Sequence, residues 1–446
     1  MGQTRMELPR YAKYPQKGMN ALDSSLDIVP VAGPLHGSVR LPGSKSLTNR
    51  ALICAALAVG RSTLSGALDS EDTQVMAKAL QKLGIAIDAD WTGAKLDVAG
   101  CGGRFPAQHA ELNLEGSGTS LRFLTALVAT GRGVFTLDGN DRMRQRPIGE
   151  LIEALRTCHT DAESQSGFPP VVIRADRLAG ATLSLRGDVS SQYLSALLLA
   201  APAATGAMEF NVHGPLVSTP YIEMTLAVMQ AFGVEVKWLD PTRFQVSPQS
   251  YVNRTFAIEP DASAASYFWA AAAVTGGCVR VEGLNTQSLQ GDVAFCDCLK
   301  SMGCDVKEES VGTTVTGRKL SGIDVDMGAI SDTVQTLAAV ALFAEGPTTI
   351  RGVEHIRHKE SDRIGDLARE LRKLGAVVEE KPDGLRIEPG PLQPAAVETY
   401  NDHRMAMSLA VAGLRLPGIQ IIDPGCTAKT YPGFFPDLEK LAATAR

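Results

Sequence analysis

The residues best suited to chemistry lie in short clusters where basic side chains meet glycine, hydroxyl and acidic ones. Residues 41–50 (LPGSKSLTNR) open one apolar segment with Lys45 and Ser46, and residues 116–122 (GSGTSLR) open another with Gly118 and Arg122. Gly and hydroxyl residues at a helix start leave free backbone N–H groups and supply caps, and the helix dipole adds positive potential there. A Lys or Arg in the first turn strengthens such an anion site. Residues 142–147 (RMRQRP) place three guanidinium groups in one loop, residues 355–363 (HIRHKESDR) interleave bases and acids, and Asp402-His403-Arg404 opens a further apolar segment. Arg grips phosphate and carboxylate through planar two-point contacts, so these clusters predict a small substrate carrying several negative charges. Each cluster alone also reads as a solvated loop with weak surface ion pairs. Their recurrence at equivalent points of a repeat favours function.

The Gly-Ser-Lys-Ser string is not a nucleotide-binding P-loop. That pattern needs Gly directly before Lys and another Gly five residues earlier, whereas Ser44 and Val39 occupy those places. ATP and GTP are excluded on this ground.

The elements that position the clusters repeat six times. Each copy has an Ala-rich apolar stretch, a Gly, a β-branched stretch, a loop and an amphipathic helix, and the marker glycines are Gly60, Gly131, Gly206, Gly276, Gly346 and Gly418. Their spacings are 71, 75, 70, 70 and 72 residues, the signature of a repeat architecture. The Ala-rich stretches predict buried helices that neighbours approach closely, each closed by its Gly in the left-handed conformation. Residues 73–84 and 362–375, with apolar positions three and four apart, predict helices lying on a sheet surface. Six copies divide into two sets of three.

Composition fits a large enzyme: 446 residues, 44% hydrophobic, provide material for two or three domains. A net charge of −6 argues against nucleic acid as the main partner. Eight Cys without a zinc-ligand spacing read as reduced cytoplasmic thiols. The longest apolar run, residues 267–279, is too short to span a bilayer, so no membrane partner is expected. Residues 1–25 lack the apolar core of a signal peptide and are expected to form a mobile tail.

Residues 41–50, 142–148, 190–193 (SSQY), 218–221 (STPY), 261–267 (DASAASY), 359–363 (KESDR), 400–407 (YNDHRMAM) and 426–432 (CTAKTYP) together resemble the 5-enolpyruvylshikimate-3-phosphate synthase family. The resemblance covers about residues 26–442. It implies an α/β fold of two similar domains, each an inside-out α/β barrel of three βαβαββ-like repeats with ligands in the cleft between them. The first domain would span residues 43–258, and residues 26–42 plus 259–446 would form the second. The implied reaction transfers the enolpyruvyl group of phosphoenolpyruvate to the 5-hydroxyl of shikimate 3-phosphate and releases phosphate. It implies no metal, no organic cofactor and a monomer.

Carried over position by position, the resemblance assigns shikimate 3-phosphate to Lys45, Ser46, Arg50, Ser190, Ser191, Gln192, Ser218, Tyr221, Asp332, His355 and Lys359. It assigns phosphoenolpyruvate to Lys45, Gly118, Arg146, Gln192, Arg363, Arg404 and Lys429, and proton handling to Asp332, Glu360 and Lys45. The chemistry asks for a carboxylate near the attacking hydroxyl and an acid near the methylene carbon, with cations on the phosphate.

Three departures from the family pattern border the phosphoenolpyruvate pocket. Where Gly-Asn-Ala-Gly-Thr-Ala is common, residues 115–120 read EGSGTS, so the Asn is lost; Phe123 follows Arg122 where Pro is usual; and His355 stands where Asn is usual. The family pocket also admits the inhibitor glyphosate, and these changes predict tolerance to it. The sister transferases acting on UDP-N-acetylglucosamine commonly carry a reactive Cys in the loop corresponding to residues 143–149. No Cys lies between Cys101 and Cys158. A hydrolase reading fails because no Gly-x-Ser-x-Gly elbow appears in a strand-to-helix setting.

Overall fold

The structure is a computed structural model that describes residues 25–187, 190–214, 218–240 and 242–445. The expected tail lies outside the described residues except at its last position. Ser25 is not tail: it opens the strand Ser25–Asp27, paired antiparallel with Ile419–Ile422.

Twelve α-helices follow one another among the described residues: α1 (Lys45–Leu57), α2 (Glu71–Lys82), α3 (Gly118–Ala129), α4 (Gly149–Thr157), α5 (Ser191–Ala200), α6 (Thr219–Ala231), α7 (Ala262–Thr275), α8 (Phe295–Ser301), α9 (Val334–Ala341), α10 (Gly365–Lys373), α11 (His403–Gly413) and α12 (Phe434–Ala442). The odd-numbered helices are the Ala-rich stretches, and they are buried almost end to end. In α7 only Thr275 escapes full burial. Alanine makes this possible, since small side chains on every face let a helix pack on all sides. The even-numbered helices cover the outside, as in α10, where Leu367, Ala368 and Leu371 face inward and the rest of the helix is largely charged. No described helix is long and apolar enough to cross a membrane.

Six small sheets carry these helices. In Arg132–Asp138, the strand after α3, one edge pairs parallel with His109–Asn113 and the other antiparallel with Phe168–Asp176, which pairs in turn with Asp161–Gln165. This order, that of a βαβαββ unit, recurs in five four-stranded sheets. The sixth sheet has three strands, and Ser25–Asp27 takes the place of the hairpin there.

Two further strands join the sheet of the opposite half. His36–Val39 precedes α1 yet pairs parallel with Cys278–Glu282, while Thr255–Ala257 precedes α7 yet pairs parallel with Val59–Ser65. The two crossing segments run side by side, with Ser44 N–H donating to Glu259 C=O (2.8 Å) and Asp261 N–H to Pro42 C=O (3.0 Å). The buried apolar residues accordingly form two clusters, one from Leu47 to Ile258 and one joining Ile28, Leu35 and Leu41 to residues between Ala262 and Ala442.

The marker glycines behave less uniformly than the repeat suggests. Gly276 alone caps its helix in the left-handed conformation, at φ 70°. Gly60 lies inside a strand, Gly346 and Gly418 are left-handed but sit beyond the helix ends, and Gly131 and Gly206 are not left-handed. At Gly131 the requirement is close packing instead, because an added Cβ would fall 2.2 Å from the Phe105 ring.

Candidate active site

The starts of the inner helices converge on the cleft between the two cores. Ser44 caps α1, Ser117 caps α3 and Ser190 caps α5, each accepting from a backbone N–H two or three residues on. Asp261 caps α7, and its second oxygen accepts the Lys45 N–H of the opposite half at 3.0 Å. Asp402 caps α11 by accepting from Arg404 N–H, and a 3₁₀ turn at Ser331–Thr333 leads Asp332 into α9. Free N–H groups and dipole ends directed at one place favour anions.

Between these ends lies a network of buried charges. Arg363, 1% exposed, donates to both oxygens of Asp402, to Asp332 Oδ1 at 3.1 Å and to Glu360 Oε2 at 2.9 Å. Arg404 donates to Asp332 Oδ2 at 2.7 Å. Lys429 Nζ reaches Glu360 Oε1 at 3.1 Å, Arg146 approaches the same oxygen at 3.8 Å, and Lys359 lies 3.9 Å from Asp332. Lys45 faces Asp72 at 3.6 Å. In ion pairs among the described residues, Lys45, Arg146, Lys359, Arg363, Arg404 and Lys429 face Asp72, Asp332, Glu360 and Asp402. The surplus is positive, as an anionic ligand requires.

Burial alone would raise the carboxyl of Asp332, but Arg404, Lys359 and Arg363 hold it well below the usual carboxylate range. Glu360 is likewise raised by burial and held far lower by Lys429, Arg363 and Arg146. Lys359 is lowered, chiefly by burial, against the pull of Asp332. The space lined by this network is ≈ 20 Å³, about the room of one water.

The residues assigned from sequence fall into two adjoining groups. Lys45, Gly118, Arg146, Gln192, Asp332, Lys359, Glu360, Arg363 and Arg404 line the enclosed space, and Lys429 joins through Glu360. Ser218, Tyr221 and His355 lie beside it: Tyr221 O–H donates to Asp332 at 3.1 Å, and His355 Nε2 lies 3.0 Å from Ser331 Oγ and 3.5 Å from Ser218 Oγ. Ser190 and Ser191 form the start of α5, with Ser190 Oγ occupied in capping. Arg50 is 2% exposed and engaged by the protein, donating to Thr225 Oγ1, the Ser46 C=O and the Tyr221 C=O.

Sequence reasoning did not single out Asp72, Thr119 or Asp292 as site residues. Asp72 is in the first turn of α2 and meets Lys45 only through packing. Thr119 was visible inside the GSGTSLR string and accepts from Gln192 Nε2 at 3.4 Å. Asp402 was noted only as part of a basic cluster, and its role in holding Arg363 emerges from the geometry. Arg142 also has an unforeseen place, bonding the Lys359 and Glu360 carbonyls from the opposite half at 2.9 Å each.

The family model described as EPSP synthase (3-phosphoshikimate 1-carboxyvinyltransferase) matches residues 30–438. The chain belongs to the EPSP synthase family. A 3-phosphoshikimate 1-carboxyvinyltransferase of Nostoc punctiforme is 52% identical over 415 residues, covering 92% of this chain and 97% of the relative. A chloroplastic 3-phosphoshikimate 1-carboxyvinyltransferase of Brassica napus is 46% identical, covering 91% and 83%. Among solved structures, an EPSP synthase from Acinetobacter baumannii superposes with a TM-score of 0.78 at 26% identity, covering 94% of this chain and 98% of that one. The enolpyruvyl transferase NikO from Streptomyces tendae shares the fold, with a TM-score of 0.73 at 22% identity over 93% and 96%. Membership accounts for the paired halves and for the cationic cleft between them.

Proposed function

We propose that this protein transfers the enolpyruvyl group of phosphoenolpyruvate to the 5-hydroxyl of shikimate 3-phosphate. The observation that carries the reading is Arg363 lying between Asp332 and Glu360, with cations from both halves around them. In the first step the hydroxyl gives its proton to Asp332 as its oxygen attacks C2, and C3 takes a proton from Glu360, forming a tetrahedral ketal phosphate. In the second, C3 returns a proton to Glu360 and the C2–O bond to phosphate breaks, the leaving phosphate taking the proton that Asp332 received. Lys45 shares the proton handling.

Asp332 begins as the carboxylate a base requires, whereas Glu360 must take up a proton as the substrates bind before it can act as the acid. Both carboxylates are ionised while the cations are theirs alone. A bound phosphate and carboxylate occupy Lys45, Arg146, Arg363, Arg404 and Lys429, which weakens their hold on Asp332 and Glu360 and brings both closer to proton-transfer range. The narrow space means that both substrates enter with the halves apart. Closure then orients them and excludes water.

The shikimate phosphate is read onto Ser190, Ser191, Ser218, Ser46 and Arg50, and its ring onto Gln192, Tyr221, Asp332, His355 and Lys359. The donor is read onto Lys45, Gly118, Arg146, Gln192, Arg363, Arg404 and Lys429. The division into domains 43–258 and 26–42 plus 259–446 belongs to the same reading and is supported by the two separate cores. So do a monomeric state, a cytoplasmic location and tolerance to glyphosate. The test is phosphate release from the purified protein with both substrates, against controls lacking either one. Release needing both establishes the reaction; no release, with UDP-N-acetylglucosamine inactive as acceptor too, overturns it.

A further inference from the structure

Asp292 lies outside every assignment made above, yet it reaches the reacting carboxylate through one intervening group. It sits in the 3₁₀ turn Gly291–Ala294, 4% exposed. Its Oδ2 faces the Tyr221 hydroxyl at 3.2 Å and makes a short contact with the Ser263 hydroxyl. The same Tyr221 oxygen lies 3.1 Å from Asp332 Oδ2.

A phenol carries one hydrogen, so Tyr221 cannot donate to two carboxylates at once. Both contacts are hydrogen bonds only if one of the carboxyl groups brings a proton of its own. Asp332 is ill suited to hold it, because it accepts from Arg404 and Arg363 and lies near Lys359. Asp292 has no ion pair among the described residues, and its Oδ1 is buried without a hydrogen-bond partner. A buried carboxylate in that position is costly, and the neutral acid is not.

We propose that Asp292 is a positioning residue that holds a proton on Oδ2 and donates it to the Tyr221 hydroxyl, so that Tyr221 in turn donates to Asp332. The chain fixes the rotamer of Asp332 and supplies it with a neutral donor opposite the cations of Arg404 and Arg363. The groups facing Asp292 are Tyr221 from α6, Asp261 and Ser263 at the start of α7, Asp332 before α9 and Arg404 from α11. Burial, then the charge of Asp332, pushes the Asp292 carboxyl up to about 6, against the opposing effects of Ser263 and Arg404. Above that pH the shared proton leaves, Tyr221 must choose one carboxylate, and a second negative charge confronts Asp332.

The consequence for turnover rests on the proposed function, but the proton itself does not. Infrared difference spectra of the ligand-free protein across about pH 5 to 7.5 should show a buried carboxylic-acid band lost with a midpoint near 6. In Ser263→Ala the midpoint should move to higher pH, because a donor that stabilises the carboxylate is gone. In Asp292→Asn, whose amide keeps a donor and cannot ionise, that band should vanish. The bend it produces in the pH profile of kcat should vanish as well. Absence of such a band in the wild-type protein, or a band unmoved in Ser263→Ala, overturns the inference even if Asp292→Asn fails to fold. Absent turnover with the band present would instead count against the proposed reaction.

Discussion

Arg363 and Asp402 meet in a two-point contact, Nε to Oδ2 at 2.7 Å and Nη2 to Oδ1 at 3.2 Å, with both side chains sealed from solvent. The contact fixes the guanidinium plane so that its outer edge turns to Asp332 and Glu360. Asp402 also caps α11 and accepts from Ser361. One carboxylate therefore orients the arginine and starts the helix that delivers Arg404.

Replacing Asp402 with Ala strips a buried cation of its main partner and removes a cap. Unfolding in urea should show a loss of about 3–5 kcal/mol, the usual cost of breaking a buried pair from one side. Phosphoenolpyruvate affinity should fall with it. A stability change below about 1 kcal/mol, the scale of a surface pair, would mean the contact is incidental.

Asp332→Ala removes the proposed acceptor of the hydroxyl proton. Turnover should drop by about 10²–10⁴-fold, the usual share of a general base, while shikimate 3-phosphate still binds by calorimetry. Turnover like that of the wild type would refute the role.

Gly118 is packed under Arg146. A Cβ built at residue 118 falls 2.6 Å from both terminal nitrogens of that guanidinium, which must then shift. Gly118→Ala should raise the KM for phosphoenolpyruvate by about tenfold and change kcat less, since a misplaced ligand-gripping group costs on the order of 1.4 kcal/mol. An unchanged KM would show that Arg146 does not touch the donor.

His355 stays neutral to low pH. Burial, with Lys359 and Arg363 nearby, lowers its pKa from 6.5 to about 4 against the charge of Asp332. The unfolded chain binds the proton first, so this histidine makes stability fall as pH drops from 6.5 towards 4 and adds nothing further below that. NMR of the folded protein should show the His355 ring titrating near pH 4. A midpoint near the ordinary value would contradict the buried setting.

Glyphosate should inhibit weakly. Gly116 and Gly118 shape the pocket edge beside Lys429 and Arg146, with the Gly116 carbonyl accepting from Lys429 at 2.9 Å. An inhibition constant matching those of sensitive family members, measured against phosphoenolpyruvate, would overturn the expected tolerance.

The repeating unit, the burial of the Ala-rich helices and the anionic character of the ligand are legible in the chain alone. Those features are local: small residues, caps and basic first turns declare themselves within a few positions, as at Lys45, Gly118 and Arg404. The reach of the glycine pattern was overread, since Gly131 is required by the Phe105 ring rather than by a left-handed turn. Which charges face which follows from the packing of the whole molecule. Arg363 meets Asp332 and Asp402 across 31 and 39 residues, Lys429 meets Gly116 across 313, and Asp292 reaches Asp332 only through Tyr221. Nothing in the spacing of those residues encodes the contacts, because the ends of helices from separate repeats meet only in the packed molecule. The exchange of His36–Val39 and Thr255–Ala257 between the halves was hidden for the same reason. A short strand carries no local mark of its partner, and its pairing is settled by which sheet edge the folded core leaves open.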